Sequence, residues 1–261
     1  MRLINWIRRA SVVLTLVMLV LIVYSPPARA FEPNIHGDIT VEAINSTQPI
    51  VDGQKLQFSQ EATQQIVKAN KTTDDPAFQL NNPEMHFDSE EFPRASKRLI
   101  DLRERVITKI TTTSFGPSAR ADLGGALHTL QDFYAHSNWV ELGREAINQN
   151  LGRQTFSKPG DDVATCPNDA GVLSGEGLKQ LTSGYFTFPS GVCDVKPGKC
   201  RHGLSLFNCP TGLNKDDQNR PGFDKARALA VESTKDFLNQ IFSDSRVAGN
   251  AKAIKLLLGI S

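Results

Sequence analysis

One segment of the chain, residues 127–136, places three ionisable side chains in otherwise apolar sequence. His128, Asp132 and His136 recur every four residues, and at about 100° per residue this spacing puts them in one stripe along a helix. Ionisable groups are rarely buried unless they are paired or bind a metal ion. The alternative is a helix face whose polar groups are satisfied by other protein groups. The segment therefore predicts a buried helix that carries metal ligands.

The spacing also limits how these side chains can share ions. Each step of four residues rises about 6 Å, so His128 and His136 lie about 12 Å apart along the helix axis. One ion can be shared by residues four apart, but hardly by residues eight apart. We expect His128 and Asp132 to share one ion, the second oxygen of Asp132 to reach another, and His136 to face a third ion or another site.

The first thirty residues have the pattern of a secretory signal peptide. Basic residues including Arg8 and Arg9 precede an apolar run over residues 12–24, and small residues lead up to Ala30. The run is shorter than the ~20 residues of a membrane span, although an uncleaved anchor is the alternative. We predict cleavage after Ala30 and a periplasmic or secreted product. The choice between general and twin-arginine export stays open.

The charge balance excludes a duplex-binding protein. The whole chain has a formal net charge of +1, with 29 basic and 28 acidic residues. Because residues 1–30 contain four arginines and no acid, the remainder carries 25 basic and 28 acidic side chains. It lacks the basic excess of proteins that bind duplex nucleic acid. The apolar fraction of 39% is typical of a globular domain.

The four cysteines fall in one Gly- and Pro-rich stretch, residues 152–222, which we call the insertion. They are Cys166, Cys193, Cys200 and Cys209. In an oxidising compartment two disulfides are expected, and three pairings are open. A zinc site built from all four thiolates is the alternative, but the spacings lack the close pairs that such sites prefer.

Apolar periodicity and capping residues predict helices through the rest of the chain. The predicted helices cover residues 39–44 (with Asp38 as N-cap), 61–69 (capped near Ser59), 90–111, 117–136, 140–147, 224–241 and 250–258. Strand signals are sparse, and only residues 185–188 suggest a hairpin arm. The predicted fold is a single all-α domain over residues 31–261 with a loop-rich, disulfide-containing insertion.

Further candidate ligands lie outside the central stripe. Cleavage after Ala30 would make Phe31 the N-terminal residue, whose free amine and carbonyl can bind a metal, and His36 lies five residues later. His86 lies in another polar segment, preceded by Asp74 and Asp75. These acids can supply an oxygen ligand or a general base, and the alternative is a loop with solvated acids.

The segment 124–143 (GGALHTLQDFYAHSNWVELG) resembles the Het-C family, as do residues 86–88 (HFD), 200–203 (CRHG) and 213–216 (LNKD). This resemblance spans residues 36–240. The pattern is more distantly similar to zinc-dependent phospholipases C and single-strand-specific nucleases, which are all-α enzymes with a trinuclear zinc site. The later His-x-x-x-Glu or His-x-x-x-Asp pair of those enzymes has no counterpart here.

The resemblance implies a zinc ligand set, with two ions and up to three. One zinc would take Asp74 or Asp75, His86, His128 and Asp132. A second zinc would take Phe31, His36 and Asp132. A third would take His136 with substitutes from His202, Asp224 and Glu232. Side chains expected to orient these ligands are Asp88, Gln131, Ser137 and Asn138.

The resemblance also implies an activity. We expect a zinc-dependent phosphodiesterase that hydrolyses a phospholipid head-group ester with metal-bound hydroxide, with Asp74 or Asp75 as base. One alternative is a zinc-stabilised Het-C-like protein that acts on membranes or partners without chemistry, and another is a single-strand nuclease. A phospholipid or membrane surface is thus the expected partner, ahead of nucleic acid, and the sequence indicates no protein partner.

Overall fold

The structure is a computed structural model that describes residues 31, 33–75, 82–167, 172–186, 196–203 and 211–261. Its helices are α1 (Pro33–Ser46), α2 (Gln60–Thr72), α3 (Phe92–Thr112), α4 (Gly116–His136), α5 (Phe223–Phe242) and α6 (Ala251–Leu258). Short 3-10 helices cover Pro83–Met85 and Gly175–Leu178, and strands β1 (Ile50–Val51) and β2 (Gln54–Lys55) form an antiparallel hairpin. The predicted mostly helical class is confirmed.

Helix α4 lies at the centre of the bundle, packed against α2, α3 and α5. Every residue from Leu123 to His136 is buried. The apolar members of this run fill the core on all sides, so its polar side chains have no solvent to face. The buried helix predicted from the central stripe is therefore present, with its ionisable groups inside the protein.

Gly124 allows α4 to approach α2 closely. A Cβ atom at this position would lie 2.5 Å from the Ile66 carbonyl oxygen and 2.8 Å from the Asn70 nitrogen, which are backbone atoms that cannot move away. The close contact brings the Asn70 side chain of α2 against His128 on α4. The glycine thus helps to assemble the polar centre of the bundle.

Apolar periodicity and caps correctly predicted several flanking helices. Predicted core positions of α3, such as Leu99 and Val106, are fully buried. The hydroxyl of Ser59 accepts a hydrogen bond from the Ala62 nitrogen and caps α2 as predicted. Such signals are local, so they can be read without knowledge of the tertiary fold.

Two helix predictions need correction. Residues 140–147 form turns, because after Val140 the chain takes a left-handed conformation at Gly143, with φ of 69°. Helix α1 begins at Pro33 and runs beyond the predicted 39–44, so Asp38 is not its cap. A proline at the first helical position favours this earlier start.

The insertion has little regular structure among its described residues. A small apolar cluster forms around Cys166, Cys200 and Leu213. Cys166 and Cys200 form a disulfide, which rules out the alternative of one zinc bound by all four thiolates. Cys193 and Cys209 lie outside the described residues, so the second predicted disulfide stays a prediction. In place of the predicted hairpin arm, Tyr185 makes an isolated parallel bridge with Arg201; residues 187 and 188 lie outside the described ranges.

The predicted signal peptide also lies outside the described residues, and export stays a prediction. Among the residues that the structure describes, no helix has the length and apolar character needed to cross a membrane.

Candidate metal centre

Five ionisable side chains from separate segments meet at the middle of the bundle. We call this group the bundle cluster. It comprises His36 of α1, Asp74 just after α2, His86 after the first 3-10 helix, and His128 and Asp132 of α4. Each of these residues is at most 3% exposed. The central stripe thus supplies two members, and three distant parts of the chain supply the others.

Four of these side chains surround one point. His128 Nε2 lies 3.1 Å from His86 Nδ1, 2.9 Å from Asp132 Oδ2 and 3.5 Å from Asp74 Oδ1. His86 Nδ1 lies 2.9 Å from the same Asp132 oxygen. Ligands bound tetrahedrally to zinc at about 2.0–2.1 Å lie about 3.3 Å apart. The observed separations fit that arrangement.

The other oxygen of Asp132 faces a different histidine. His36 Nε2 lies 3.1 Å from Asp132 Oδ1. The rings of His36 and His128 stack with centroids 4.2 Å apart. The Asp132 carboxylate therefore lies between two sets of imidazole nitrogens, in the position of a bridging ligand.

A network of amides and hydroxyls determines which ring nitrogens are available. His36 Nδ1 donates to Gln131 Oε1 at 2.6 Å, and His128 Nδ1 donates to Asn70 Oδ1 at 3.2 Å. The Asn70 and Gln131 amide nitrogens both donate to the Thr40 hydroxyl, which fixes the orientation of both amides. Both histidines therefore direct Nε2 at Asp132, which is the orientation that metal-binding histidines have.

A second group lies where α4 meets the insertion. We call it the insertion cluster, and it comprises Asp88, His136, His202 and Asp216. His136 Nε2 lies 3.2 Å from His202 Nε2 and 3.1 Å from Asp216 Oδ1. Because His202 Nδ1 donates to the Gly203 carbonyl and His136 Nδ1 donates to that of His86, both Nε2 atoms point inward. Asp88 Oδ1 lies 3.1 Å from His136 Nδ1 without a hydrogen bond.

Burial and charge shift the pKa values of these groups strongly. Burial lowers the pKa of His128 to about 3, so this imidazole is neutral. Burial raises the pKa of Asp74 to about 7. For His36 and His136, burial acts to lower the pKa, but nearby carboxylates outweigh it. The net pKa of both residues is therefore raised, and that of His136 is raised more. Burial alone would raise the pKa of Asp132, but the positive charge of the neighbouring His136 and His36 outweighs it and holds that pKa well below its usual value.

Several predicted site residues do not reach either cluster. Asp75, Asp224 and Glu232 are exposed, and Glu232 pairs with Lys235 on the outer face of α5. Helical geometry explains this, since the buried positions of α5 are occupied by its apolar residues. Asp216, which we did not predict as a ligand, lies beside His136, where the third zinc was expected to need a further ligand.

Three further predicted residues are placed beside the clusters. Phe31 is buried, with its ring centroid 5.5 Å from that of His36. Ser137 and Asn138 do not orient ligands. The Ser137 hydroxyl donates a hydrogen bond to the Phe133 carbonyl, and the Asn138 amide donates one to the Gly177 carbonyl of the insertion.

The residues that the sequence did not reveal act through long-range contacts. Asn70 orients the His128 imidazole, Thr40 orients the Asn70 and Gln131 amides, and Asp216 contacts His136 from eighty positions away. No spacing pattern marks such residues. The only available signal was the polar character of Asn70 within the buried face of an amphipathic helix.

Comparison with known proteins identifies the family. The family model described as "VWA7 N-terminal domain" matches residues 39–251. The chain belongs to this family. It is 36% identical over 183 residues to human von Willebrand factor A domain-containing protein 7. The aligned region covers 66% of the chain and 20% of the human protein. The mouse protein of that name is 35% identical over 214 residues, and that aligned region covers 76% of the chain and 23% of the mouse protein. No solved structure matches.

These findings correct the sequence-based assignment. The Het-C assignment and the predicted phosphodiesterase are wrong, because the relatives carry the name of von Willebrand factor A domain-containing protein 7 and no phospholipase C or nuclease is among them. The nuclease and Het-C-like alternatives fail for the same reason. A His-x-x-x-Asp pattern specifies ligands and leaves the chemistry open. The chain spans about a fifth of the length of the curated relatives it matches.

Proposed function

We propose that this chain is a zinc-binding domain in which the bundle cluster holds two ions and the insertion cluster holds a third. The observation that carries this proposal is the placement of Asp132. Its Oδ2 lies 2.9 Å from His128 Nε2, and its Oδ1 lies 3.1 Å from His36 Nε2. A carboxylate whose two oxygens face the Nε2 atoms of two different histidines has the geometry of a bridging metal ligand.

Protons alone account poorly for these contacts. His128 uses its only ring hydrogen on Asn70, and its pKa of about 3 keeps Nε2 unprotonated at neutral pH. An imidazole lone pair then faces a carboxylate oxygen at 2.9 Å, which is repulsive unless a cation lies between them. A divalent ion there converts this repulsion into coordination.

The donor set favours zinc over other common ions. Both clusters combine imidazole nitrogens with carboxylate oxygens, a mixture that zinc accepts in tetrahedral sites. Calcium and magnesium prefer oxygen ligands throughout. Imidazole also binds copper, iron and nickel, so the selection of zinc rests on the near-tetrahedral ligand separations.

We propose that the ions stabilise the fold. The ligands of the bundle cluster are nearly inaccessible and come from α1, α4 and the connections after α2 and before α3. Closed sites of this kind are typical of structural zinc, and their binding energy contributes directly to folding. The likeness of the fold to zinc-dependent phospholipases C and the phospholipid partner remain proposals that this role does not require.

The experiment is a zinc analysis of paired variants of adjacent residues on α4. His128→Ala removes a ligand of the bundle cluster, whereas Thr129→Ala removes a buried hydroxyl that bonds Arg98 and the Gly125 carbonyl. We expect the wild type and Thr129→Ala to retain equal zinc by elemental analysis, and His128→Ala to lose the ion that it binds. Equal zinc in all three proteins would contradict the proposal, as would a wild type without affinity for zinc.

A further inference from the structure

The turn that carries two of the proposed ligands is strained. We call residues 86–90 the ligand turn, and it contains His86 and Asp88. Three of its non-glycine residues have positive φ angles: Phe87 at 53°, Ser89 at 56° and Glu90 at 58°. Such conformations persist only where the surroundings enforce them, and they concentrate at functional sites. Some contacts must therefore hold this turn in place.

The bundle holds one end of the ligand turn through packing. The Phe87 ring is fully buried and contacts the rings of Phe92 and Phe133 at centroid distances of 5.8 and 5.2 Å. These contacts place the side chain of Phe87. They do not reach Ser89 or Glu90, whose backbone is strained as well.

The insertion holds the other end through hydrogen bonds. The Ser89 nitrogen donates to the Gly184 carbonyl at 2.8 Å, and the Glu90 nitrogen donates to the Ser183 hydroxyl at 2.8 Å. Both partners belong to the insertion. The strained half of the turn is therefore fixed by a segment almost a hundred residues later in the chain.

The Glu90 carboxylate strengthens this connection from a fully buried position. It accepts from Lys199 Nζ at 2.9 Å, from the Thr182 hydroxyl at 2.6 Å and from the Tyr185 hydroxyl at 3.3 Å. Lys199 is 1% exposed and also donates to the Gly160 carbonyl. Burying both charges is costly, so a pair of this kind contributes mainly by fixing one arrangement of the chain.

We propose that Glu90 and Lys199 are a positioning pair, through which the closed insertion holds the ligand turn in the conformation that directs His86 and Asp88 into the two clusters. This inference rests on the proposed zinc binding of those clusters. Among the residues that the structure describes, the hydrogen-bond donors to the Glu90 carboxylate are Thr165, Thr182, Tyr185 and Lys199, which all lie in the insertion, so its effect on the metal must pass through the turn. Metal binding and the contacts between the insertion and the ligand turn are then linked, and each strengthens the other by the same factor.

The main test compares Glu90→Gln with Arg120→Met in the full chain. Arg120 is, like Glu90, a buried charged residue, but it joins α4 to α6 through the Leu256 carbonyl, away from the ligand turn. We expect Glu90→Gln to weaken zinc affinity at least tenfold in chelator competition and to change the absorption spectrum of the cobalt-substituted protein. Arg120→Met should lose stability yet keep zinc affinity within twofold and an unchanged cobalt spectrum.

A second variant separates positioning from simple stabilisation. Ser89→Gly removes the steric cost of positive φ at that residue, so we expect it to restore part of the lost zinc affinity when combined with Glu90→Gln. If Glu90→Gln alone does not fold, we expect the relief of strain to raise the stability of the double variant, whose zinc affinity is then measured instead.

The outcomes distinguish this inference from the proposed function. A wild type that binds zinc, together with a Glu90→Gln protein of equal affinity and identical cobalt spectrum, would overturn the positioning role alone. A wild type that binds neither zinc nor cobalt would refute the zinc proposal itself. Failure of Ser89→Gly to recover any affinity would also overturn the positioning role.

Discussion

The bundle and the insertion are stabilised by different means. The bundle buries a continuous apolar core around α4, with residues such as Leu127 and Leu130 fully enclosed. The described part of the insertion has only a small apolar cluster around one disulfide. In place of a core it has two buried lysines, Lys199 and Lys215, each of which joins it to the rest of the chain.

This difference explains where each cluster lies. Three of the five residues of the bundle cluster, His36, His128 and Asp132, lie on helices, so they are fixed by packing and by the Asn70–Gln131 network. The insertion cluster takes His136 from α4 but His202 and Asp216 from loop-rich sequence. A loop can hold a ligand side chain in a fixed position only when other contacts hold the loop itself. In the insertion, buried polar contacts have that role.

The largest expected effect is the loss of the bridging carboxylate. Asp132→Ala should remove both ions of the bundle cluster and retain the ion of the insertion cluster, so zinc content falls from three to one per chain. Leaving the surrounding histidines unpaired should also cost about 3–5 kcal/mol of stability. Native mass spectrometry and chemical unfolding measure the two effects.

Asp122→Ala is the matched control for this variant. Asp122 lies on the same helix but near the surface, where it pairs with Arg105 and Lys109. We expect Asp122→Ala to retain three zinc ions per chain and to change the free energy of unfolding by about 0–1 kcal/mol. If both variants lost zinc equally, Asp132 would have no special role.

A second prediction separates the two regions by local stability. Lys215→Met removes the ammonium that donates to Glu141 and to the Ser137 and Leu213 carbonyls. Unsatisfied buried carbonyls should destabilise the insertion by about 2–3 kcal/mol. We expect faster proteolysis within residues 152–222, with unchanged helical circular dichroism.

The counterpart of this variant in the bundle is Leu99→Ala. Leu99 is fully buried on α3, and the cavity should lower global stability by about 2–5 kcal/mol. We expect no selective increase in cleavage of the insertion. Cleavage that rises equally in both variants would show that the two regions unfold as one unit.

The smallest effect is a difference in pH dependence between the two clusters. A ligand that must lose a proton binds metal more weakly as pH falls, about tenfold per proton per pH unit. The pKa of His136 is raised well above its usual value, whereas that of His128 is lowered to about 3. Acidification from pH 8 should therefore release the insertion-cluster ion first. The bundle ions should follow as Asp74, with a pKa of about 7, takes up its proton.

Zinc content measured after equilibration at each pH tests this order. The His202→Ala protein serves as control, because it lacks the ion expected to leave first. The order would be contradicted if that variant and the wild type released their first ion at the same pH.

The sequence predicted what depends on local periodicity. The stripe of His128, Asp132 and His136 lies on a buried helix, and Asp132 lies between two sets of nitrogens as its two oxygens suggested. The contribution of Asp216 was not predictable, because it depends on how a loop folds back on α4. The predicted activity failed for a different reason, since a set of metal ligands does not specify a reaction.

X-ray absorption at the zinc edge of the purified protein tests the central claim most directly. We predict a first shell of nitrogen and oxygen at about 2.0–2.2 Å, with the outer-shell signal of imidazole and no sulfur at about 2.3 Å. A sulfur shell, or a protein that binds no zinc, would contradict the assignment of these buried histidines and aspartates as ligands.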